Sequence, residues 1–441
     1  MAKIGFISLG CEKNRVDLEQ MLKLLEQSGF EICFDDPEGA DAVIINTCGF
    51  IDSAKAEAIE KILQTAALKD AGLVGCIIVT GCLAQRYQEQ IMGELPEVDA
   101  VVGCGSYPQI VDVVNRALKG EACQVFGDLN AKRPEIDRVI TKPKHTAFIK
   151  IAEGCNNRCA YCVIPSLRGD YQSRKIEHVL AEVRARLDEG AKEIILIAQD
   201  TTRYGTDIYE KPMLPTLVEQ ICQIEGDFWV RLHYLYPTGI DQELIDVIKA
   251  QPKVVRYLDI PIQHINTKVL KKMNRRGDSD YIENLFDNLR RQIDGICIRT
   301  TVIVGLPYEG QQEFDQLCEF LARQQLERVG VFAYSPEEGT PAARMRGRVP
   351  QEEKERRAEL VNDLQSRIID KQNQAMVGKT CRVLCEGEED GVYYGRTEKD
   401  SPEIDCFVRF TSEKPVTTGQ FAQVRIDRVE DSIPCGKTSD C

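Results

Sequence analysis

Long apolar runs free of charge are missing from this sequence, and their absence excludes a membrane-spanning helix. The N-terminus also lacks the basic region and apolar core of a signal peptide, because only residues 4–9 are apolar there and they include Gly and Ser. We therefore expect a cytoplasmic protein. The same absence argues against a lipid-anchored cysteine at Cys11, since no export signal precedes it.

Positive charge is also in short supply. The 441 residues carry 56 Lys and Arg against 70 Asp and Glu, a formal charge of −14. An acidic chain is a poor general binder of phosphate backbones, and it favours basic partners. Histidine is scarce as well, with four residues and none beside another, which leaves few imidazole ligands for a zinc site.

Cysteine, by contrast, is abundant, with 18 residues. Disulfides are disfavoured in the cytosol, so recurring, spaced cysteines indicate metal binding or catalysis there. Seven of them stand singly in apolar or helical surroundings and are interpreted as small buried hydrophobic residues: Cys33, Cys76, Cys104, Cys123, Cys222, Cys297 and Cys318.

The pattern of strands and helices predicts three domains. Over residues 1–140, short apolar strands such as "KIGFIS", "DAVIINT" and "GCIIVTG" alternate with amphipathic helices, which predicts a doubly wound parallel α/β domain. Over residues 141–375, six further strands, from "TAFIKIA" to "RVGVFAY", predict a partial (β/α)6 barrel that ends in a charged helix. Short alternating stretches over 376–441 predict a small antiparallel, OB-like β-barrel.

Cys155, Cys159 and Cys162 form a C-x3-C-x2-C motif directly after the first predicted barrel strand. Three closely spaced thiolates can hold a compact, soft metal centre. Structural zinc is one interpretation, but it takes four ligands. A 4Fe–4S cluster can instead use three cysteines and leave one iron open for a substrate or cofactor.

Cys11, Cys48 and Cys82 each follow a predicted strand of the first domain. Ligands of an open α/β sheet bind outside the carboxyl ends of its strands, so three such strand ends would bring these distant thiols together. One interpretation is three unrelated buried cysteines. The other is a second three-thiolate cluster, again with an open iron.

The motif of Cys155, Cys159 and Cys162, with Tyr161 before its third cysteine, resembles the radical S-adenosylmethionine (SAM) superfamily. The strand-end cysteines upstream and the small β-barrel downstream resemble the methylthiotransferases, which combine an N-terminal cluster domain, a radical SAM barrel and a TRAM domain. The members that modify a ribosomal protein are the most similar, through the strings "SLGCEKNRVDLE", "NTCGFI", "EGCNNRCAYCVIPSLRG", "RLHYLYP", "YLDIPIQH" and "YSPEEGTPAA". Members that modify transfer RNA usually show "YSxRxGT" in place of the last of these.

The resemblance implies an enzyme that uses two 4Fe–4S clusters and SAM. The cluster on Cys155, Cys159 and Cys162 would bind SAM at its open iron and cleave it to a 5′-deoxyadenosyl radical. That radical would take hydrogen from Cβ of an aspartate in ribosomal protein twelve of the small subunit. The auxiliary cluster, on Cys11, Cys48 and Cys82, would hold the sulfur that a second SAM methylates before transfer.

The resemblance also implies an electron donor such as flavodoxin or ferredoxin, and it requires no contact with nucleic acid. No catalytic residue is assigned beyond the cluster cysteines. The candidate SAM contacts, for which ordinary loop polarity or a tight turn is the alternative, are Tyr161, Gln199, Asp200, Gln263, Gly305 and Glu309. Tyr308 departs from the family pattern, which commonly has Pro-Gly-Glu where this chain has Pro-Tyr-Glu.

Two other functions stay open: methylthiolation of adenosine in transfer RNA, and a non-catalytic ribosome- or RNA-binding protein with structural metal sites. Charge favours a basic protein substrate, because residues 376–431 carry eight Lys and Arg against twelve Asp and Glu. The basic stretch 268–277 is interpreted as a solvated helix face that could touch RNA or a reductant. Cys381 and Cys385 are interpreted as strand residues, and Cys435 and Cys441 are placed in a C-terminal tail.

Overall fold

The computed structural model describes residues 1–34, 37–49, 51–141 and 143–439. The chain forms two compact units. The first comprises Met1–Pro143, Ala152–Ser173 and Ser335–Ala343, and the second comprises Lys144–Ile151, Arg174–Tyr334 and Arg344–Cys441. None of the helices in the described ranges has the length and apolarity that crossing a bilayer requires.

The first unit is built on a six-stranded parallel sheet. Its strands are β1 (Lys3–Ser8), β2 (Glu31–Ile32), β3 (Ala42–Thr47), β4 (Cys76–Gly81), β5 (Ala100–Val102) and β6 (Cys123–Val125), in the order β2-β1-β3-β4-β5-β6. Its helices are α1 (Glu12–Gln27), α2 (Asp52–Asp70), α3 (Cys82–Tyr87), α4 (Glu89–Glu94) and α5 (Ile110–Ala117).

Both faces of this sheet are covered, as the uninterrupted apolar character of β3 and β4 requires. Ile44 and Ile78 pack on one face with α1 and α5. Val43 and Ile77, which point the other way, pack with α2. The doubly wound arrangement follows from this alternation.

The remaining elements up to the last helix are β7 (Thr146–Lys150), β8 (Ala152–Glu153), α6 (Ile164–Arg168), β9 (Gln172–Ser173), α7 (Ile176–Asp188), β10 (Glu193–Ile197), α8 (Leu214–Cys222), β11 (Trp229–Leu232), α9 (Gln242–Ala250), β12 (Val254–Asp259), α10 (Thr267–Lys272), α11 (Ser279–Gln292), β13 (Cys297–Val304), α12 (Gln311–Gln324), β14 (Arg328–Ala333) and α13 (Gln351–Gln374). β8 and β9 form a small antiparallel pair in the first unit, and α6 lies between them in sequence. In the second unit, six parallel strands form one sheet in the order β14-β13-β12-β11-β10-β7.

A closed five-stranded barrel completes the second unit. Its strands are β15 (Thr380–Glu389), β16 (Val392–Thr397), β17 (Val408–Thr411), β18 (Phe421–Glu430) and β19 (Ile433–Thr438), in the order β15-β16-β17-β19-β18. Its core is formed by apolar residues that alternate along the strands, among them Val383, Val424 and Ile426, together with the rings of Tyr393 and Phe410.

Buried ion pairs fix this barrel to the amino ends of the parallel strands. Glu193, the first residue of β10, accepts hydrogen bonds from Arg231 of β11 at 2.7 Å and from Arg396 of β16 at 2.6 Å. Arg328 of β14 donates to Asp400 at 2.6 Å. The barrel is therefore part of the second unit and is held by charge as well as by apolar contact.

The predicted fold class is confirmed: a doubly wound domain, a partial barrel of six parallel strands and a small closed β-barrel. One pairing in the small barrel, between β17 and β19, is parallel where an antiparallel barrel was predicted. The placement of Cys435 in a tail was wrong, because Cys435 is buried within β19. Cys441 lies outside the described residues, and the boundaries 1–140, 141–375 and 376–441 stay a prediction.

Candidate functional site

Three cysteines lie at one edge of the first sheet. Cys11 follows β1, Cys48 follows β3, and Cys82 follows β4 and opens α3. These three strands are neighbours and run parallel, so their carboxyl ends meet at the same edge. The structure therefore places three chain positions that are far apart in sequence at the same edge of the sheet, and their role as cluster ligands stays a prediction.

Glycines beside these cysteines allow the loops to approach closely. A β-carbon on Gly10 would lie 3.0 Å from Cβ of Cys48. A β-carbon on Gly49 would lie 2.9 Å from the carbonyl carbon of Cys82. The contact with backbone at Gly49 leaves no space for a side chain, and Gly10 has a left-handed φ of 91° that favours glycine. The sequence pairs Gly10–Cys11 and Cys48–Gly49 therefore allow each of these turns to lie against the next.

Asn14 of α1 ties two of these strand ends together. Its side-chain amide donates to the carbonyl of Leu9 at 3.0 Å and to that of Thr47 at 2.9 Å. In return, the Asn46 amide donates to the carbonyl of Asn14 at 2.6 Å. Leu9 and Thr47 immediately precede the turns that carry Cys11 and Cys48, so this buried asparagine sets the spacing of those turns.

Cys82 is buried in an environment that favours its thiolate. A hydrogen bond with Cys104 lowers the pKa of Cys82 to about 6, burial opposes this shift, and the charge of Arg168 adds to it. The pKa of Cys104 is raised, first by the same hydrogen bond and then by burial. Cys104 was interpreted from the sequence as packing only, but it lies against a predicted metal ligand.

The segment with Cys155, Cys159 and Cys162 has hydrogen bonds within itself and with residues of α6 and the position after it. The Cys155 amide donates to the carbonyl of Gly169 at 3.1 Å, and the Cys162 amide donates to the carbonyl of Cys159 at 3.0 Å. The Ile164 amide, in the first turn of α6, donates to Sγ of Cys162 at 3.4 Å. This segment and Tyr161 belong to the same compact unit as Cys11, Cys48 and Cys82.

The chemistry of these residues fits iron–sulfur clusters. Within the described ranges, no three His, Cys, Asp or Glu side chains converge tightly enough to hold a single ion. A 4Fe–4S cluster is larger than a single ion, and its cysteine ligands are spread around a cube of atoms. Cysteines at adjoining strand ends, rather than in direct contact, are therefore what such a cluster requires. Three strand ends supply thiol side chains, which are the ligands that an iron–sulfur cluster takes. At two of these ends a glycine beside the cysteine allows the neighbouring turns to lie close together.

The other candidate SAM contacts follow strands of the second unit. Gln199 and Asp200 follow β10, and Asp200 is buried and accepts a hydrogen bond from Thr202 at 2.5 Å. Gln263 follows β12 and adopts a left-handed backbone conformation, with φ 70°. Its side-chain oxygen is buried and has no hydrogen-bond partner among the residues that the structure describes. Such a buried acceptor fits a ligand that donates a hydrogen bond.

Gly305 and Glu309 organise the loop after β13. Both carboxylate oxygens of Glu309 accept from the Gly305 amide at 2.9 Å, and Arg357 donates to one of them at 2.7 Å. Burial alone would raise the pKa of Glu309, but His264, the Gly305 amide and Arg357 outweigh burial and lower it. A β-carbon on Gly305 would lie 2.2 Å from Cγ of Lys354. Glu309 thus supports the loop, and its contact with SAM stays a prediction.

Tyr308 takes the backbone conformation that explains the glycine of the family pattern. Its φ is 70°, in the left-handed region where side chains are strained. Its ring lies 4.8 Å from Nζ of Lys272. The departure noted in the sequence is therefore a side chain tolerated at a position that favours glycine.

Three family models match the chain. Residues 3–103 match an uncharacterized protein family, UPF0004; residues 149–321 match the radical SAM superfamily; and residues 377–432 match the TRAM domain. The matched ranges fall on the first sheet, on the cysteine motif with most of the second sheet, and on the closed barrel.

Relatives cover nearly the whole chain. The "Ribosomal protein uS12 methylthiotransferase RimO" of Pelotomaculum thermopropionicum is 46% identical over 96% of both chains. The protein of the same name in Thermoanaerobacter sp. (strain X514) is 45% identical over 97% of both. The chain belongs to the RimO family. It is a radical SAM methylthiotransferase, and the two 4Fe–4S clusters and SAM predicted from the sequence are the cofactors of RimO enzymes.

Solved structures show the same fold at low identity. The radical SAM methyltransferase TsrM from Kitasatospora setae, with tryptophan and a SAM analogue bound, has a TM-score of 0.56 at 14% identity, covering 88% of this chain and 79% of TsrM. This likeness concerns the fold alone. The RimO relatives are what separates this chain from other radical SAM proteins.

Proposed function

We propose that this chain adds a methylthio group to Cβ of an aspartate in ribosomal protein uS12 and uses two SAM molecules per turnover. The observation that carries the proposal is the meeting of the strand ends of Cys11, Cys48 and Cys82 in the same compact unit as the second cysteine motif. The names of its relatives supply the substrate.

The bound cofactors would supply the radical, the methyl group and the sulfur. The residues of the chain itself do the positioning. Cys155, Cys159 and Cys162 would hold the cluster that binds SAM. Asn14 spaces the turns of two further cysteine ligands through its bonds to Leu9 and Thr47.

A groove of about 710 Å3 on the small barrel supports a basic protein substrate. It is lined by five acidic side chains, by the aromatic rings of Tyr394 and Phe407, and by two arginines; the acidic residues are Glu386, Glu389, Asp390, Glu403 and Asp405. Glu386 is paired with Arg396 at 2.7 Å, and burial raises the pKa of Asp405. The lining as a whole still has five carboxyl groups against two arginines, a balance that repels the phosphates of RNA and attracts Lys and Arg side chains. The aromatic rings offer apolar surface for the stems of those side chains.

The deciding experiment offers both substrates to the reconstituted enzyme. We expect a methylthio mass increase on uS12, presented alone or within the small ribosomal subunit, and none on transfer RNA. A modified nucleoside together with unmodified uS12 would reject the proposal in favour of transfer RNA. Zinc in place of iron–sulfur absorption, with no SAM cleavage, would reject a radical enzyme altogether.

A second experiment separates the two cysteine groups. Ala at Cys11, Cys48 or Cys82 should leave 5′-deoxyadenosine formation but stop sulfur transfer, whereas Ala at Cys155, Cys159 or Cys162 should abolish SAM cleavage. Deoxyadenosine and methylthio product are measured on the same samples. Identical behaviour of the two groups in folded variants would contradict this division of roles.

We also propose a cytoplasmic location and reduction by a flavodoxin or ferredoxin. Lys268, Lys271 and Arg276 are exposed in one short basic stretch of a chain with a net charge of −14, and Lys268 pairs with Glu313 at 2.8 Å. Acidic redox proteins are attracted by a basic stretch of this kind. Reduction by the purified donor should slow steeply as salt is raised. A rate independent of salt would reject this docking surface.

A further inference from the structure

Arg168 is the last residue of α6 and lies six positions after Cys162. Its side chain is 2% exposed, and no functional role was assigned to it from the sequence. A buried arginine is costly unless every donor of its guanidinium finds an acceptor. The hydrogen-bond acceptors of Arg168 therefore indicate which parts of the structure this side chain connects.

The guanidinium of Arg168 contacts three separate parts of the first unit. Nη1 donates to Asp17 of α1 and, at 3.4 Å, to Glu153 of β8. Nη2 donates to Oδ1 of Asn14 at 2.7 Å and to Sγ of Cys82 at 3.2 Å. Two carboxylates fix its orientation, so the N–H group that reaches Cys82 is not free to turn away.

Helix α6 therefore bonds to one cysteine of each group. Its first turn donates to Sγ of Cys162, and its last residue donates to Sγ of Cys82. Val163, just before the helix, and Leu167 within it pack against Cys82 and Cys104. Five residues of helix thus connect the SAM-cluster motif with the auxiliary cysteines.

We propose that Arg168 is a positioning residue of the auxiliary site, which fixes the sulfur of Cys82 and raises the reduction potential of the cluster that this sulfur would ligate. The inference rests on the proposed function, because it takes Cys11, Cys48 and Cys82 as cluster ligands. Hydrogen bonds to cysteine sulfurs and net charge set the potential of iron–sulfur clusters. A cation that donates to the sulfur stabilises the more negative, reduced state.

The test isolates the auxiliary cluster in the full-length chain. In a C155A/C159A/C162A background, which removes the other cluster, the midpoint potential is measured by anaerobic redox titration with electron paramagnetic resonance. R168Q removes the charge, and R168K keeps it. R138Q is the matched control, because Arg138 is also buried and ion-paired, and its partner at 2.6 Å is the carboxylate of Glu19.

We expect R168Q to shift the potential to more negative values by more than about 59 mV, a tenfold change in the reduction equilibrium for one electron. R168K should shift it less, and R138Q should leave it unchanged. Equal potentials in R168Q and the parent would overturn the inference while leaving the proposed function intact. A parent that binds no iron–sulfur cluster would overturn the proposed function, and this inference with it.

A variant that fails to bind the auxiliary cluster has no measurable potential, and cluster binding is then compared between R168Q and R138Q. If R168Q loses the cluster and R138Q keeps it, the positioning of Cys82 is supported, because both variants lose a buried ion pair. If both lose it, R168K decides: a potential within about 59 mV of the parent supports the inference, because the charge beside Cys82 is kept, and a larger negative shift rejects it.

Discussion

Gly49 lies where the turn of Cys48 meets that of Cys82, and an added methyl group there has no space. A β-carbon would lie 2.8 Å from the Leu83 amide nitrogen. G49A should therefore push these turns apart, at a cost in stability of about 1–3 kcal/mol, and prevent the auxiliary cluster from loading. Iron content should fall by half, while 5′-deoxyadenosine formation remains.

The matched control for that substitution is G93A. Gly93 lies in α4, and a β-carbon there would meet nothing within 4 Å. G93A should keep full iron content. An iron content in G49A equal to that of G93A would show that the two turns can separate without losing the cluster.

Tyr308 gives a second prediction at this scale, because its left-handed φ reverses the usual order of Ala and Gly. Both substitutions remove the ring contact with Lys272, but only Gly relieves the backbone strain. Y308G should be more stable than Y308A by about 1 kcal/mol. Urea unfolding of the two variants measures the difference, and Ala equal to or better than Gly would mean that the backbone relaxes away from this conformation.

The residues that organise the site were harder to predict than the residues that would ligate metal. The cysteines could be found because the chemistry of thiols and the topology of parallel strands both point to them. Asn14 and Arg168 belong to two of the family-like strings, but they bond to each other across 154 positions of sequence. Sequence periodicity reports only on neighbouring residues. A contact between residues so far apart in sequence is therefore seen only in the folded structure.

At the level of elements, β10 and β16 are joined through Glu193. Burial alone would raise the pKa of Glu193, but the charges of Arg396 and Arg231 outweigh burial and lower it. The stability that this carboxylate contributes is therefore present above the ordinary pKa of glutamate, near 4.5. It is lost as the pH falls through the lower pKa of the folded protein.

E193Q should lower the free energy of unfolding at pH 7 by about 3–5 kcal/mol, because two buried arginines lose the carboxylate that they share. The difference from the unsubstituted chain should shrink as the pH is lowered through 4.5 and below, where the carboxyl itself becomes protonated. Urea titrations at several pH values measure both. E283Q, which breaks an exposed pair with Arg323, should change stability by less than about 1 kcal/mol, and a pH-independent effect of E193Q would contradict the assignment.

Strands were predicted correctly where the sequence pattern extends over enough residues to be recognised. The long strands β1, β3, β4 and β10 to β14 were all predicted. β2, with two residues, and β6, with three, were missed because each is short and includes a polar residue, so neither forms a recognisable apolar run. The parallel pairing of β17 with β19 depends on how the barrel closes, and the sequence of one strand alone does not determine that.

At the level of the whole molecule, the ion pairs of the small barrel predict that it is not a detachable module. Removing residues 376–441 would leave Glu193, Arg231 and Arg328 without Arg396, Asp400 and the barrel backbone. It would also expose Trp229 and Tyr257, which pack with Leu384. The truncated chain should unfold at a lower urea concentration or aggregate. An unchanged midpoint would show a tethered, independent barrel.

The first compact unit is discontinuous, and this has a consequence for biosynthesis. Glu337 accepts charged hydrogen bonds from Arg86 at 2.6 Å and Lys55 at 3.0 Å, so Ser335–Ala343 belongs to the same unit as the first sheet. A nascent chain cannot complete that unit until residue 343 of 441 has emerged from the ribosome. Up to that point the six cysteines have no finished scaffold, so cluster insertion belongs late in synthesis or after release.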